Sequence, residues 1–176
     1  MLFYLRIALL APGIVLHELS HHLLCLLTGV RVHTAVYFRV GNPAGFVVHE
    51  EPELYRQIFA IVAGPFFINS AVSVVLLNLS LRQWAEVGEP SGVGAALAMA
   101  WLGVSAGLQA IPSRTDARNL FHSSSRHTLR GNPFALVGYP VALAIYLAHL
   151  ARPLAAEWFY VLLMAYLALR GFSGAA

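Results

Sequence analysis

Five apolar runs divide this chain, covering roughly Leu2–Thr28, Tyr55–Leu81, Val93–Ile111, Phe134–Leu150 and Leu154–Leu169. Each approaches or exceeds the ~17–25 residues that a helix needs to cross a bilayer. The pattern predicts five transmembrane helices. Only Ala151-Arg152-Pro153 joins the last two, which are expected to form a tight helical hairpin. Between the first two runs the period changes. Val32, Thr34, Val36, Phe38 and Val40 alternate with His33, Ala35, Tyr37 and Arg39, which is the period of a strand. Gly41-Asn42-Pro43-Ala44-Gly45 is turn chemistry, and Phe46-Val47-Val48 resumes a β-prone run. Residues 31–50 therefore read as a β-hairpin. It either packs on the membrane surface or offers a free edge to an extended peptide. Ser113–Asn132 is the other long polar stretch and is expected to be a loop. The predicted fold class is an all-α polytopic membrane protein with a small β-hairpin between its first and second helices. Residues 1–176 form one membrane-embedded domain, with a three-span core at 1–119 and two additional spans at 133–171. No repeat and no appended soluble domain is expected.

Composition fixes the solvent. The 176 residues are 59% hydrophobic and 11% charged, with mean hydropathy +0.69. Soluble domains carry about 25% charged residues. All eleven basic residues are arginines, and the pI is near 9.4. Basic loops against anionic lipid head groups fit this balance. Nucleic acid does not, since no soluble basic domain is there to bind it. With five spans, Arg31, Arg39, Arg56, Arg114, Arg118, Arg126, Arg130 and Arg170 share one side; Arg6, Arg82 and Arg152 face the other. Eight against three makes the first side cytoplasmic. Arg6 and the apolar residues after it resemble a signal peptide, but the run continues to Thr28 and reads as an uncleaved span. Cys25 stands alone, which excludes an internal disulfide framework and suits core packing.

The first run contains His17-Glu18-Leu19-Ser20-His21, an HExxH pattern. On a helix, His17 and His21 share a face and both reach one Zn²⁺, with Glu18 placed to accept a proton from water. A chance match is on the order of one in a hundred for a chain of these frequencies. Ionisable groups at mid-bilayer cost roughly 2.5–3.5 kcal/mol each, so three of them need compensation. A metal supplies it; a polar face paired to other helices is the alternative. At 1.5 Å per residue, His21 and His17 lie ~10 and ~16 Å from the end near Thr28. Pro12-Gly13 should kink the helix, as packing or as an opening for water. A catalytic zinc needs a third ligand. Glu50, Glu51 and Glu53 follow the hairpin and look solvated. Asp116, the only aspartate, follows the third run on the same side as the motif and is the better candidate; an ion pair with Arg114 or Arg118, or a helix cap, is its other role. His22 points ~100° away from His21 and suits packing or indirect support of the site. Ala96, Ala100, Gly103 and Gly107 form a small-residue stripe expected to bring Asp116 towards the motif helix. Trp84, Trp101 and Trp158 suit interface and packing, and His149 is expected to be satisfied locally.

Three segments resemble one family. His17 to Val32 is similar to the first catalytic segment of the site-2 protease family of intramembrane zinc metalloproteases, where an HExxH helix runs through Gly-Val-x-Val into a small sheet. Ala63-Gly64-Pro65, followed by Asn69, resembles its Ala-Gly-Pro…Asn motif. Gln109 to Ala117 resembles its Asn-x-x-Pro…Leu-Asp-Gly segment. Together they cover Leu2 to about Asn119. Asn69 stands one residue further from Gly-Pro than usual. Gln109 replaces Asn, Thr115 and Ala117 replace Leu and Gly, and one residue fewer separates Pro112 from Asp116. The resemblance implies a minimal prokaryotic form without PDZ or CBS domains, multi-pass in the cell membrane, with its site towards the cytoplasm. It implies Zn²⁺ on His17, His21 and Asp116, Glu18 as the catalytic base, and Asn69, Gln109, Gly64 and Pro65 supporting the site or binding substrate. The substrate would be a transmembrane protein. A catalytically silent homologue that binds membrane proteins and a metal-handling membrane protein are the alternatives. Intact Glu18 argues against the first, and the apolar fourth and fifth runs argue against the second.

Overall fold

The computed structural model describes residues 2–85 and 90–173. Among these residues the chain forms α1 (Leu2–Thr28), β1 (Val32–Val36), β2 (Phe46–His49), α2 (Tyr55–Ala85), α3 (Pro90–Leu108), α4 (Arg114–Leu129), α5 (Gly138–Leu150) and α6 (Ala156–Ser173). Short 3-10 turns at Pro133–Val137 and Arg152–Leu154 precede α5 and α6. Three stretches are long and apolar enough to cross a membrane: Leu5–Thr28, Tyr55–Ala85 and Pro133–Leu150. The apolar part of α3, Gly92–Leu108, is shorter.

Gly29 ends α1. Its φ of 75° is left-handed, and the amides of Gly29 and Val30 return to the carbonyls of Leu26 and Cys25 at 3.2 and 2.8 Å. This is a Schellman cap, and its apolar partners Cys25 and Val30 are both buried beside Ile61. The cap turns the chain into β1, which pairs antiparallel with β2 in the register Val32↔His49, Thr34↔Val48, Ala35↔Val47 and Val36↔Phe46, with an irregularity at His33. The hairpin is present as expected, but its strands are shorter than the alternation suggested.

The helices stack in two parallel sets. Leu9 with Trp101, Gly13 with Ser105, and His17 with Gln109 are hydrogen-bonded pairs at a constant offset of 92 residues, so α1 and α3 run parallel and in step. Ser70 meets Tyr160 and Asn78 meets Ala168 at an offset of 90, so α2 and α6 also run parallel. Gly13 makes the first approach possible, since a β-carbon there would fall inside contact distance of the Ser105 carbonyl. Pro12 lies inside α1 and has no N–H to give. Around it, α3 takes over the bonding: Trp101 Nε1 donates to the Leu9 carbonyl, Ser105 Oγ donates to Leu10, and the Gly13 N–H donates to Ser105 Oγ. Pro12-Gly13 is thus a docking point for α3, which is its packing role.

Three expectations are corrected. The stripe on α3 faces α2 and not α1: β-carbons at Gly103 and Gly107 would press on Leu77 and Ser73, and Ala96 accepts from Ser80. The last two apolar helices do not fold back on each other. Gly138, at the start of α5, lies against Ser124 and Tyr55; His149, at its end, bonds to Pro112. Glu157 then opens α6 beside Arg6 and Arg152. α5 packs against α4, and α6 packs against α2 and α3. Ser113–Asn132 is mostly helix rather than loop, because Ala117, Leu120 and Ser124 fall on one face and bury against Tyr55, Ile58 and Val62 of α2. That stripe is narrow and includes a serine, so the surrounding arginines masked its period.

The close approach at Gly13 is testable. Gly13→Ala should lower stability by about 1–3 kcal/mol, the usual range for overpacking. Gly94→Ala, where a β-carbon meets open space, should not destabilise. Unfolding midpoints in one detergent, measured for both variants, check this.

Candidate metal centre

His17 and His21 are one turn apart on α1, buried, with ring centroids 4.8 Å apart. Their Nε2 atoms lie 3.2 Å from each other, and Asp116 Oδ2 lies 3.7 Å from His21 Nε2. All three ligand atoms fall within 4.8 Å of one another. The His17 tautomer follows from its other nitrogen: Nδ1 donates to the Gln109 carbonyl at 2.6 Å, which leaves Nε2 bare. His21 Nε2 stands within reach of both that bare nitrogen and the Asp116 carboxylate. Ligand atoms around a tetrahedral zinc with bonds of about 2.0–2.1 Å stand about 3.3 Å apart, so the two-histidine spacing fits such an ion. The donor set is the hard-to-borderline kind that zinc accepts.

The carbonyls that hold the imidazoles are ones their own helices cannot use. α3 stops at Leu108, and the Ser113 N–H that would otherwise return to Gln109 is taken by Asp116 Oδ2 at 2.8 Å. The Gln109 carbonyl is therefore free to accept from His17 and from Asn69 Nδ2, at 2.6 and 3.3 Å. On the opposite side, His21 has the Ile61 backbone as a hydrogen-bond partner. Pro65 lies four residues on, inside α2, and has no N–H for the Ile61 carbonyl. A proline within a helix thus makes an acceptor available to a ligand. Such partners fix the orientation and basicity of metal-binding histidines.

Asp116 is fixed by the start of its helix. Ser113 caps α4: its hydroxyl accepts from the Asp116 N–H, and the Asp116 carboxylate accepts from the Ser113 N–H. Burial works against the charge on Asp116. The His21 ring and the Ser113 N–H outweigh it and hold the carboxyl well below the usual carboxylate range. Neither Arg114 nor Arg118 pairs with it; its ion-pair partner is His21.

Glu18 lines the same cavity of about 690 Å³ as His17, His21 and Asp116. The hairpin turn roofs it. A β-carbon on Gly45 would lie 2.6 Å from Glu18 Cγ, so that glycine lets the turn settle over the carboxylate's stem. Phe46, Val47 and His49 of β2 line one wall, whereas no residue of β1 does. His22 stays outside the cluster and bonds to the Tyr37 hydroxyl beyond β1, which ties the sheet to α1. Asn69 is buried between three helices, its Nδ2 at 3.3 Å from the Gly13 carbonyl and 3.4 Å from that of Ala106. Gly64 lies against Leu24. Glu50 and Glu51 pair with Arg31 and Arg126, away from the centre. The supporting roles of the Gln109 and Ile61 carbonyls escape a sequence reading. Pro65 was the available signal for Ile61; for Gln109 the third apolar run gave none, because its hydropathy continues to Ile111 while the helix stops earlier.

Pro65→Ala restores a helical N–H to Ile61 and should weaken zinc binding about 10–100-fold, the range for loss of an indirect partner. Competition with a chromophoric chelator, with helical content by circular dichroism as the control, measures it. Comparison with known proteins adds no assignment: no family model, no curated protein and no solved structure matches this chain.

Proposed function

We propose that this chain is an intramembrane zinc metalloendopeptidase of the site-2 protease kind, hydrolysing peptide bonds in or near transmembrane segments of other membrane proteins. The observation that carries this reading is the convergence of His17, His21 and Asp116 beside Glu18 in one cavity, with His17, Glu18 and His21 on a helix apolar enough to cross a membrane. A zinc ion at such a site supplies Lewis acidity, making water a nucleophile near neutral pH and polarising the scissile carbonyl. Glu18 handles the proton, taking it from the attacking water and returning it to the leaving amine. A helical substrate hides its carbonyls in hydrogen bonds and must be extended before attack. β2 has one neighbour in the sheet, and its residues line the cavity. Its unpaired edge suits an extended peptide, which it would hold alongside the metal ligands.

In this reading all five apolar helices lie in the bilayer. Because α6 runs with α2, Arg170 belongs at the end opposite the hairpin. Arg31, Arg39, Arg56, Arg114, Arg118, Arg126 and Arg130 then stand against Arg6, Arg82 and Arg170, seven against three, with Arg152 at the junction of α5 and α6 between the two ends. The hairpin end remains the cytoplasmic one.

The test is zinc content and cleavage of a membrane-tethered substrate by the purified protein. Glu18→Gln should keep zinc and lose at least about 100-fold in rate. Asp116→Asn should lose zinc. Undiminished cleavage by Glu18→Gln would sink the protease reading. Removing Phe46–His49 should abolish cleavage with zinc retained; unchanged cleavage would remove the strand from the account.

A further inference from the structure

Arg114, Arg118, His122, Arg126 and Arg130 recur at every fourth position, from the first residue of α4 to the residue that caps it. Four-residue steps advance about 40° around a helix, so the five side chains form one slowly winding ridge. All five are exposed, on the side away from buried Ala117, Leu120 and Ser124. Arg126 is paired with Glu51. Arg114, Arg118 and Arg130 make no ion pair among the described residues. The only carboxylate on α4 is Asp116, and that faces His21. A solvated helix of this kind usually intersperses acids among its bases; this one intersperses apolar groups. Phe121 is 45% exposed and Leu129 89% exposed, and both stand among the ridge residues.

The place of α4 in the fold says what covers this face. The helix begins beside His21 and ends where Ser124 and His127 meet Tyr55, the first residue of the apolar span of α2. Its outer face therefore lies where hydrocarbon gives way to head groups. Guanidinium groups with apolar neighbours at that level match the phosphate layer above and the acyl chains below.

We propose that α4 is an interfacial helix whose basic ridge binds the phosphates of anionic phospholipids, and that this docking holds Asp116 in place for the metal. The second part rests on Asp116 being a ligand, as argued above. Asp116 sits in the first turn of α4, between Arg114 and Arg118. The non-helical residues Gln109–Ser113 separate α4 from α3, so α4 is not steered by a continuous helix. Its inner face is fixed by α2 and α5, and lipid fixes its outer face. Each arginine free of a protein partner strengthens attachment about five-fold at an anionic surface.

The protein can be reconstituted in discs of phosphatidylcholine alone and of phosphatidylcholine with phosphatidylglycerol. Amide exchange across Arg114–Leu129 and zinc retention against a chelator are then read in both. Phosphatidylglycerol should slow exchange in α4 at least ten-fold, with α2 unchanged, and raise zinc affinity several-fold. High salt should reverse both effects. The triple variant Arg114→Gln, Arg118→Gln, Arg130→Gln should respond to neither lipid. Should it fail to fold, the salt titration of the unaltered protein still decides. Equal α4 exchange in the two discs would overturn the proposal. So would equal protection by polyphosphate in phosphatidylcholine discs, which would assign the ridge to a soluble polyanion. Lipid protection without any change in zinc affinity would overturn the coupling. If Asp116→Asn keeps its zinc while lipid still protects α4, the ligand reading falls and the lipid site stands.

Discussion

A backbone carbonyl without a partner costs several kcal/mol in a medium that offers no water. This chain creates such carbonyls where helices break and spends them on its histidines. Gln109, past the end of α3, accepts from His17. Ile61, opposite Pro65, serves His21. Pro112, in the same break as Gln109, accepts from His149 at 2.9 Å. The face of α1 that carries His17 and His21 is therefore oriented by backbone that α2 and α3 leave unused. Each imidazole is turned so that Nε2 faces the site, and the two Nε2 atoms meet at 3.2 Å.

The rest of the bundle sets the depth at which those carbonyls arrive. The 92-residue offset between α1 and α3 runs from Leu9–Trp101 through Gly13–Ser105 to His17–Gln109. A slip of one turn would carry Gln109 away from His17 and bring no equivalent acceptor. Gly13 permits the approach and Ser105 fixes its register. Asn69 binds the same level from α2, reaching Gly13, Ala106 and Gln109 at once. Helix register, imidazole orientation and helix packing are consequently one problem with one solution, and Asp116 is added to it by the short turn that starts α4.

Much of this was legible in residues. The apolar runs found α1, α2, α3, α5 and α6, and the change of period found the hairpin, because lengths and periods are local properties. His17, His21 and Asp116 were identified by spacing and by the scarcity of aspartate, and the structure brings their ligand atoms together. The α4 helix was missed because its buried stripe is only Ala117, Leu120 and Ser124, too weakly apolar to stand out among arginines. The relation of α5 to α6 was misjudged because a short linker constrains distance and not direction. Arg152 and Glu157 bond across that linker, next to Arg6, and nothing in hydropathy encodes this. The Gln109 carbonyl was invisible because every residue has one; only the break in α3 makes it special.

The central claim is that two imidazoles and one carboxylate, oriented by backbone, hold a zinc ion within an apolar bundle. X-ray absorption at the zinc edge, on the reconstituted protein, tests it most directly. The account predicts a shell of nitrogen and oxygen only at about 2.0–2.1 Å, with outer scattering from two imidazole rings. A sulfur neighbour at about 2.3 Å, for which Cys25 is the single cysteine of the chain, or scattering from three or more imidazoles, would contradict it.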